Sequence, residues 1–251
     1  MRLFLGLIAT ICLAVTGGPA MAAKKKPVVV NPVEQRLPPP PLSDTQNLLY
    51  LDLSTGGRVV VRLYPNVAPK MVERIKILTR QRFYDGLTFH RVIDGFMAQT
   101  GDPKGDGTGG SSLPDVPAEF NWMPHVRGAV AAAREGAAPD ASAEEKAKAE
   151  NSANSQFFIV FQPKLSLDKK YTVFGRVISG MEFVDSVERG EPPANPSRIL
   201  HAYIAADNPP PYTPAPPPPP VTLAPAPSLA PAVTPKPAVT KPAAPKPAAR
   251  K

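Results

Sequence analysis

The segment FHRVIDGFMAQTGD, Phe89 to Asp102, decides how this chain reads, and NSQFFIVF, Asn154 to Phe161, gives it a partner. Each sets aromatic or thioether side chains beside polar groups able to hydrogen-bond a peptide backbone, and one arginine, Arg91, stands among them. Neither segment holds a nucleophile–base pair. His90, His125 and His201 are scattered without ligand spacing and read as structural histidines rather than a metal site. Any chemistry at this surface therefore proceeds without covalent bonds to the substrate.

Short β-type runs surround these segments: Leu48 to Leu53, Arg58 to Tyr64, Phe89 to Ile93, Phe96 to Thr100, Gly128 to Ala133, Gln156 to Phe161, Tyr171 to Ile178 and Ile199 to Ala206. Several alternate apolar and polar residues, and turn residues such as Ser54-Thr55-Gly56-Gly57 separate them. Two segments read as helices. Pro69 to Arg80 carries a stripe at Met71, Val72, Ile75 and Leu78, and Met181 to Glu188 repeats it with Met181, Val184 and Val187 before Gly190. Eight strands and two helices predict a mainly β fold, a closed eight-stranded antiparallel barrel capped by two α-helices.

The ends differ in composition from this middle. Met1-Arg2, the apolar run Leu3 to Val15 and Ala20-Met21-Ala22 have the three parts of a secretory signal, which predicts cleavage after residue 22. Thirteen apolar residues fall short of the roughly 20 that a membrane span needs. The single cysteine, Cys12, lies inside this run, so no disulfide framework is expected. Residues 23–43 form a basic, Pro-containing spacer. From Asn208 to Lys251 there are 17 prolines in 44 residues, a composition that predicts an extended or disordered tail. One globular domain is left at 44–207.

The net charge of +8 divides the same way. Residues 44–207 hold 19 Lys and Arg against 20 Asp and Glu, so the excess sits in the two ends. Basic residues dispersed on such ends tune solubility or give weak contact with an anionic envelope surface, and they do not make the compact patch that nucleic acid requires.

Six motifs in order carry a resemblance: YDGLTFHRVIDGFMAQTGD (Tyr84 to Asp102), GTGG (Gly107 to Gly110), AEFN (Ala118 to Asn121), Ala131-Ala132-Ala133-Arg134, NSQFF (Asn154 to Phe158) and YTVFGRVISGM (Tyr171 to Met181). Over Leu48 to Ala206 the chain resembles the cyclophilin-type peptidyl-prolyl cis-trans isomerases of the exported bacterial sort. The resemblance implies a cyclophilin-like barrel with its proline groove on the outer face, no cofactor, and Arg91 as the donor to the twisted imide nitrogen. It implies Phe96, Gln99 and Phe158 as further catalytic residues, and Met97, Ala133, Arg134, Gln156, Leu167 and Tyr171 as substrate-binding residues. Phe157, adjacent to Phe158 in a strand, faces the opposite way and belongs to the core.

The expected partners are proline-containing polypeptides, met by a monomer in the periplasm or outside the cell. The competing reading is a proline-peptide binding or chaperone module tethered to the cell envelope by its tail. Three positions depart from the family's best-known eukaryotic pattern: Ser166 stands for a tryptophan, Tyr171 for a groove histidine and Asp94 for a turn proline. Between Arg134 and Asn154 the connection is long and polar. Ser142 with Glu145 forms a capping box and Glu144 with Lys148 an i,i+4 pair, which predict a short helix that is either a solvated excursion or a lip beside the groove.

Overall fold

The computed structural model describes residues 38–214; the expected leader, most of the front spacer and the C-terminal segment beyond Pro214 lie outside the described residues. Strand β1 (Leu48–Leu53) and strand β2 (Gly57–Leu63) form a hairpin paired from Leu48–Arg62 to Leu53–Gly57. In β2 burial alternates residue by residue, with Val59, Val61 and Leu63 inside and Arg58, Val60 and Arg62 outside. Helix α1 (Pro69–Arg80) follows and buries its stripe of Met71, Val72, Ile75 and Leu78. Ala68 has no side chain with which to cap this helix. The Glu119 carboxylate does so instead, accepting the backbone N–H of Lys70 and of Met71 at 3.0 Å each.

Strands β3 (Arg91–Ile93), β4 (Met97–Thr100), β5 (Ala129–Ala132), β6 (Phe157–Val160), β7 (Val173–Ser179) and β8 (Ile199–Ile204) complete one antiparallel sheet. Its order is β3-β4-β6-β5-β7-β2-β1-β8. This corrects the expected closed barrel: no ladder joins β3 to β8, and the sheet is an open half-barrel of cyclophilin-like fold. At the seam an isolated bridge between Thr88 and Arg198 spans the gap, with the N–H groups of Phe89, Ile199 and Gly86 donating to the carbonyls of Ser197, Leu87 and Ile199. Two features explain the opening. The outer edge of β3 is occupied by Gly190, which exchanges backbone hydrogen bonds with Val92 at 2.8 and 2.9 Å. The approach to β8 contains Pro192, Pro193 and Pro196, which have no N–H to offer a ladder.

The described residues hold three α-helices rather than two. The polar connection folds as α2 (Ala143–Glu150), capped as expected: Ser142 Oγ accepts Glu145 N–H at 3.2 Å and the Glu145 carboxylate accepts Ser142 N–H at 2.8 Å. Only Ala149 of α2 is buried, and the base of the excursion is pinned where Glu135 N–H donates to Ser152 Oγ at 2.8 Å. Helix α3 spans Met181–Asp185, three residues short of the expected end at Glu188. The Ser186 hydroxyl turns back to the Glu182 carbonyl, and Val187 N–H bonds Val184 three residues back, which tightens and ends the turn. None of the described helices is long and apolar enough to cross a membrane.

Inside the sheet lies one core of Leu, Val, Ile and aromatic side chains. Tyr84, Phe157 and Phe174 form its aromatic centre, with edge-on contacts of 5.6 Å between Tyr84 and Phe157 and 6.1 Å between Phe157 and Phe174. Just past β8, the start of the Pro-rich segment lies on β1 and β2: Arg58 donates to the Pro210 carbonyl at 2.7 Å, and the Tyr212 hydroxyl donates to the Leu53 carbonyl at 3.1 Å. Phe157 is fully buried, so Phe157→Ala is expected to destabilise the domain by about 3–5 kcal/mol, read from the midpoint of urea unfolding.

Candidate active site

Register across the open sheet builds the site. Arg91 pairs with Gln99, Gln99 with Phe158, Phe158 with Ala131 and Ala131 with Val173, one row crossing β3, β4, β6, β5 and β7. The neighbouring row is Ile93, Met97 and Val160. Because side chains alternate, these residues share the outer face while Val92, Ala98, Phe157 and Ile159 point into the core. On the outer face a second apolar cluster forms from Met97, Ala129, Ala131, Phe158, Val160 and Val173. Ile93, Phe96, Met123, Ala133, Leu167 and Tyr171 pack half-exposed around it. Phe96 lies 6.5 Å from Phe158, ring centre to ring centre.

The floor is braced from beneath. His125 is fully buried, stacks on Phe158 at 6.1 Å and meets Tyr171 edge-on at 6.4 Å. Its backbone N–H and its Nδ1 both lie 2.8 Å from one oxygen of Asp168. Tyr171 in turn contacts Phe158 edge-on at 5.8 Å and carries the Arg134 guanidinium over its ring at 4.6 Å. Arg134 also donates to the carbonyls of Lys170 and Glu135, so its cation is spent on shaping the wall.

Beside the apolar floor lies a polar cavity of about 490 Å³ lined by Gln99, Gly107, Gly109, Ala133, Arg134 and Gln156 among others. Gln99 donates to the Gln156 side-chain oxygen at 2.8 Å, and Gln156 donates to the carbonyls of Gly107 and Gly109 at 3.0 and 2.7 Å. The glycine loop is gathered by Asp102, whose carboxylate accepts the backbone N–H groups of Lys104, Asp106 and Gly107. A Cβ at Gly109 would run into that carboxylate, which is why the loop needs glycine there. Burial alone would push the Asp102 pKa up, but the N–H groups of Lys104, Gly109 and Gly107 outweigh it and hold the carboxyl below its ordinary value.

Arg91 stands at the edge of the row. Its Nε donates to Glu191 at 2.7 Å, with both side chains about half exposed, and among the described residues no group takes its two Nη nitrogens. No three His, Cys, Asp or Glu side chains converge as a metal site among the described residues.

All ten residues expected from the sequence thus lie along this one strip. Phe96, Met97, Phe158, Leu167, Tyr171 and Ala133 gather in the apolar cluster, Gln99, Arg134 and Gln156 line the polar cavity, and Arg91 stands at the row's end. Sequence reasoning missed three supports: Asp168 behind His125, Asp102 under the glycine loop, and Glu191 on Arg91. His125 was visible as a histidine, but nothing local tied it to a carboxylate 43 positions on.

An apolar cluster left partly open on the outer face, with a polar cavity beside it and Arg91 at its rim, is a surface able to take an extended peptide. The chain belongs to the cyclophilin-type peptidyl-prolyl cis-trans isomerase family, whose model, described as Cyclophilin type peptidyl-prolyl cis-trans isomerase/CLD, matches residues 50–204. It is 44% identical over 181 residues to a probable peptidyl-prolyl cis-trans isomerase of Brucella suis, covering 66% of this chain and 86% of that one. It is 39% identical over 142 residues to peptidyl-prolyl cis-trans isomerase B of Bacillus subtilis, covering 57% and 91%. Among solved structures it is similar to a cyclophilin from Hirschia baltica, with TM-score 0.57, 28% identity and coverage of 65% and 76%. It is also similar to a cyclophilin-type isomerase of Cryptosporidium parvum crystallised in the presence of the dipeptide Ala-Pro, with TM-score 0.54, 25% identity and coverage of 62% and 98%. Its activity is peptidyl-prolyl cis-trans isomerisation.

Two buried histidines give this domain a pH dependence of known sign. Burial pushes the pKa of His125 below 6.5, with Asp168 pulling it partly back, and burial does the same to His90 against the pull of Asp102. As pH falls the unfolded chain therefore takes up these protons first, and stability declines from about pH 6.5 downward. Asp102 and Asp168, held below 3.8, add their own loss only in the more acidic carboxylate range. Urea midpoints are expected to be level from pH 8 to 7 and to drop between pH 6.5 and 5; His125→Asn should flatten part of that drop.

Proposed function

We propose that this isomerase turns X-Pro bonds by a non-covalent mechanism centred on Arg91, and that its clients are proteins exported from the cytoplasm. The observation that carries the mechanism is the row Arg91–Gln99–Phe158, which sets a cation at the rim of an apolar floor. Rotation about a peptide bond faces a barrier of about 18–20 kcal/mol because nitrogen donates its lone pair into the carbonyl. At the twisted midpoint that donation is lost and the nitrogen becomes an acceptor. A guanidinium N–H aimed at it favours the midpoint over both planar forms, and only such differential binding accelerates the reaction.

A hydrogen bond from a charged group contributes about 1.5–3 kcal/mol, which at roughly 1.4 kcal/mol per tenfold is one to two powers of ten in rate. The remainder falls to the pocket. Phe96, Met97, Phe158 and Leu167 seat the proline ring and exclude water, while Gln99, Gln156, Ala133 and the Arg134 backbone hold the chain on either side. Tyr171, edge-on to Phe158, keeps the floor in place. Glu191 holds the Nε side of Arg91, and in this mechanism the two Nη groups are the ones that serve the imide nitrogen. An exposed pair of this kind adds little stability, about 0–1 kcal/mol, so its role is orientation.

The Ala-Pro unit is the simplest ligand that such a groove takes. The signal-like start, Met1 to Ala22, and a chain with no cysteine after Cys12 support a periplasmic or secreted location, with the basic tail in weak contact with the envelope. Arg91→Ala is expected to lower kcat/KM for an Ala-Pro test peptide about 10- to 100-fold with an unchanged urea midpoint. Glu191→Gln should lower kcat a few-fold at constant KM, and Glu191→Asp should restore most of it. Unchanged turnover of Arg91→Ala in a proline-exchange assay overturns the mechanism.

A further inference from the structure

The C-terminal 37 residues, Ala215 to Lys251, carry the ligand chemistry of the groove many times over. They contain five Ala-Pro bonds, the last at Ala244-Pro245, and three Lys-Pro bonds at Lys236-Pro237, Lys241-Pro242 and Lys246-Pro247. They contain no acidic residue, whereas the polar cavity beside the groove presents Asp115 and Glu135 on its wall, with Arg134 there already laid over Tyr171. We propose that this segment is a substrate of its own chain's groove: its distal X-Pro bonds enter in cis, are isomerised there, and compete with external clients. The inference rests on the proposed reading of the groove around Arg91 and goes beyond it in naming the occupant.

Reach permits it. Pro214 follows Tyr212, which is held against β1. A domain of this size has a radius of gyration of about 15 Å and is roughly 40 Å across, so the longest path over its surface is about 60 Å. An extended chain gains about 3.3 Å per residue, so roughly 20 residues cover that path. Every X-Pro bond from Thr234-Pro235 onward therefore reaches the groove, wherever on the surface the segment departs.

Tethering also sets the rate. A linker that spans its two sites gives an effective concentration on the order of 1 mM. With an enzyme efficiency at the low end, about 10⁴ M⁻¹s⁻¹, the tail bonds would turn over at about 10 s⁻¹ in total. Shared among the five X-Pro bonds from Thr234-Pro235 onward this is about 2 s⁻¹ each, whereas uncatalysed exchange takes about 10–100 s, so the catalysed exchange exceeds it by about 20- to 200-fold.

Exchange NMR on the full chain, labelled at Ala and Lys, tests this at Ala244-Pro245 and Lys246-Pro247, with a free Ala-Pro peptide followed in parallel samples. The expected result is cis–trans exchange at about 1–10 s⁻¹, unchanged on tenfold dilution and slowed at least tenfold in Arg91→Ala. In a full-length variant with Pro235, Pro237, Pro242, Pro245 and Pro247 changed to Ala, the apparent KM for the free peptide should fall with kcat unchanged. Slow tail exchange in a chain that still turns over the free peptide overturns the cis inference alone. Exchange that scales with protein concentration overturns it too, by showing action between molecules. Loss of turnover on both tail and free peptide in the unaltered chain overturns the reading of the groove itself.

Discussion

Three central strands, β4, β5 and β6, are almost wholly buried on both faces, and that constraint organises the molecule. An antiparallel sheet usually wets one face. Here the inner face meets the main core and the outer face carries a second apolar cluster built on Met97, Phe158 and Val160. The outer cluster is only partly roofed, by Phe96, Met123, Leu167 and Tyr171. The gap in that roof is where the proposed mechanism seats the proline ring, which makes the candidate site an unfinished piece of hydrophobic packing rather than an addition to the fold.

Much of this could be read in advance because the signals were local. The stripe Met71, Val72, Ile75 and Leu78 placed α1 at its observed bounds, and every strand was located to within two residues, since alternation and turn residues repeat at short range. The adjacency of Phe157 and Phe158 separated core from groove through the period-two geometry of a strand. Closure of the sheet was misread because alternation reports which way side chains face and not whether the two end strands meet. The prolines at 192, 193 and 196 held the missing information, as residues unable to donate to a ladder.

What stayed hidden was pairing over distance. Glu191 is 100 positions from Arg91, Asp168 is 43 from His125, and Glu119 is 49 from the start of α1 that it caps. Each joins a charged or polar group to a partner brought close only by the finished sheet, and no spacing rule encodes such a meeting. These supports share a logic: short-range pattern builds the strands, then a few long-range carboxylates orient the groups that the strands leave unsatisfied.

The excursion bearing α2 leaves after Arg134 and comes back at Ser152, and the hydrogen bond from Glu135 to Ser152 ties its two stems together. With the neck fastened and a single alanine sunk into the body, the intervening residues behave as an interchangeable cassette. Loop closure grows only logarithmically with length, about 0.6 kcal/mol per doubling. Evolution or an engineer can thus swap what overhangs the cavity wall while leaving β5 and β6, and the register that aligns Gln99 with Phe158, undisturbed.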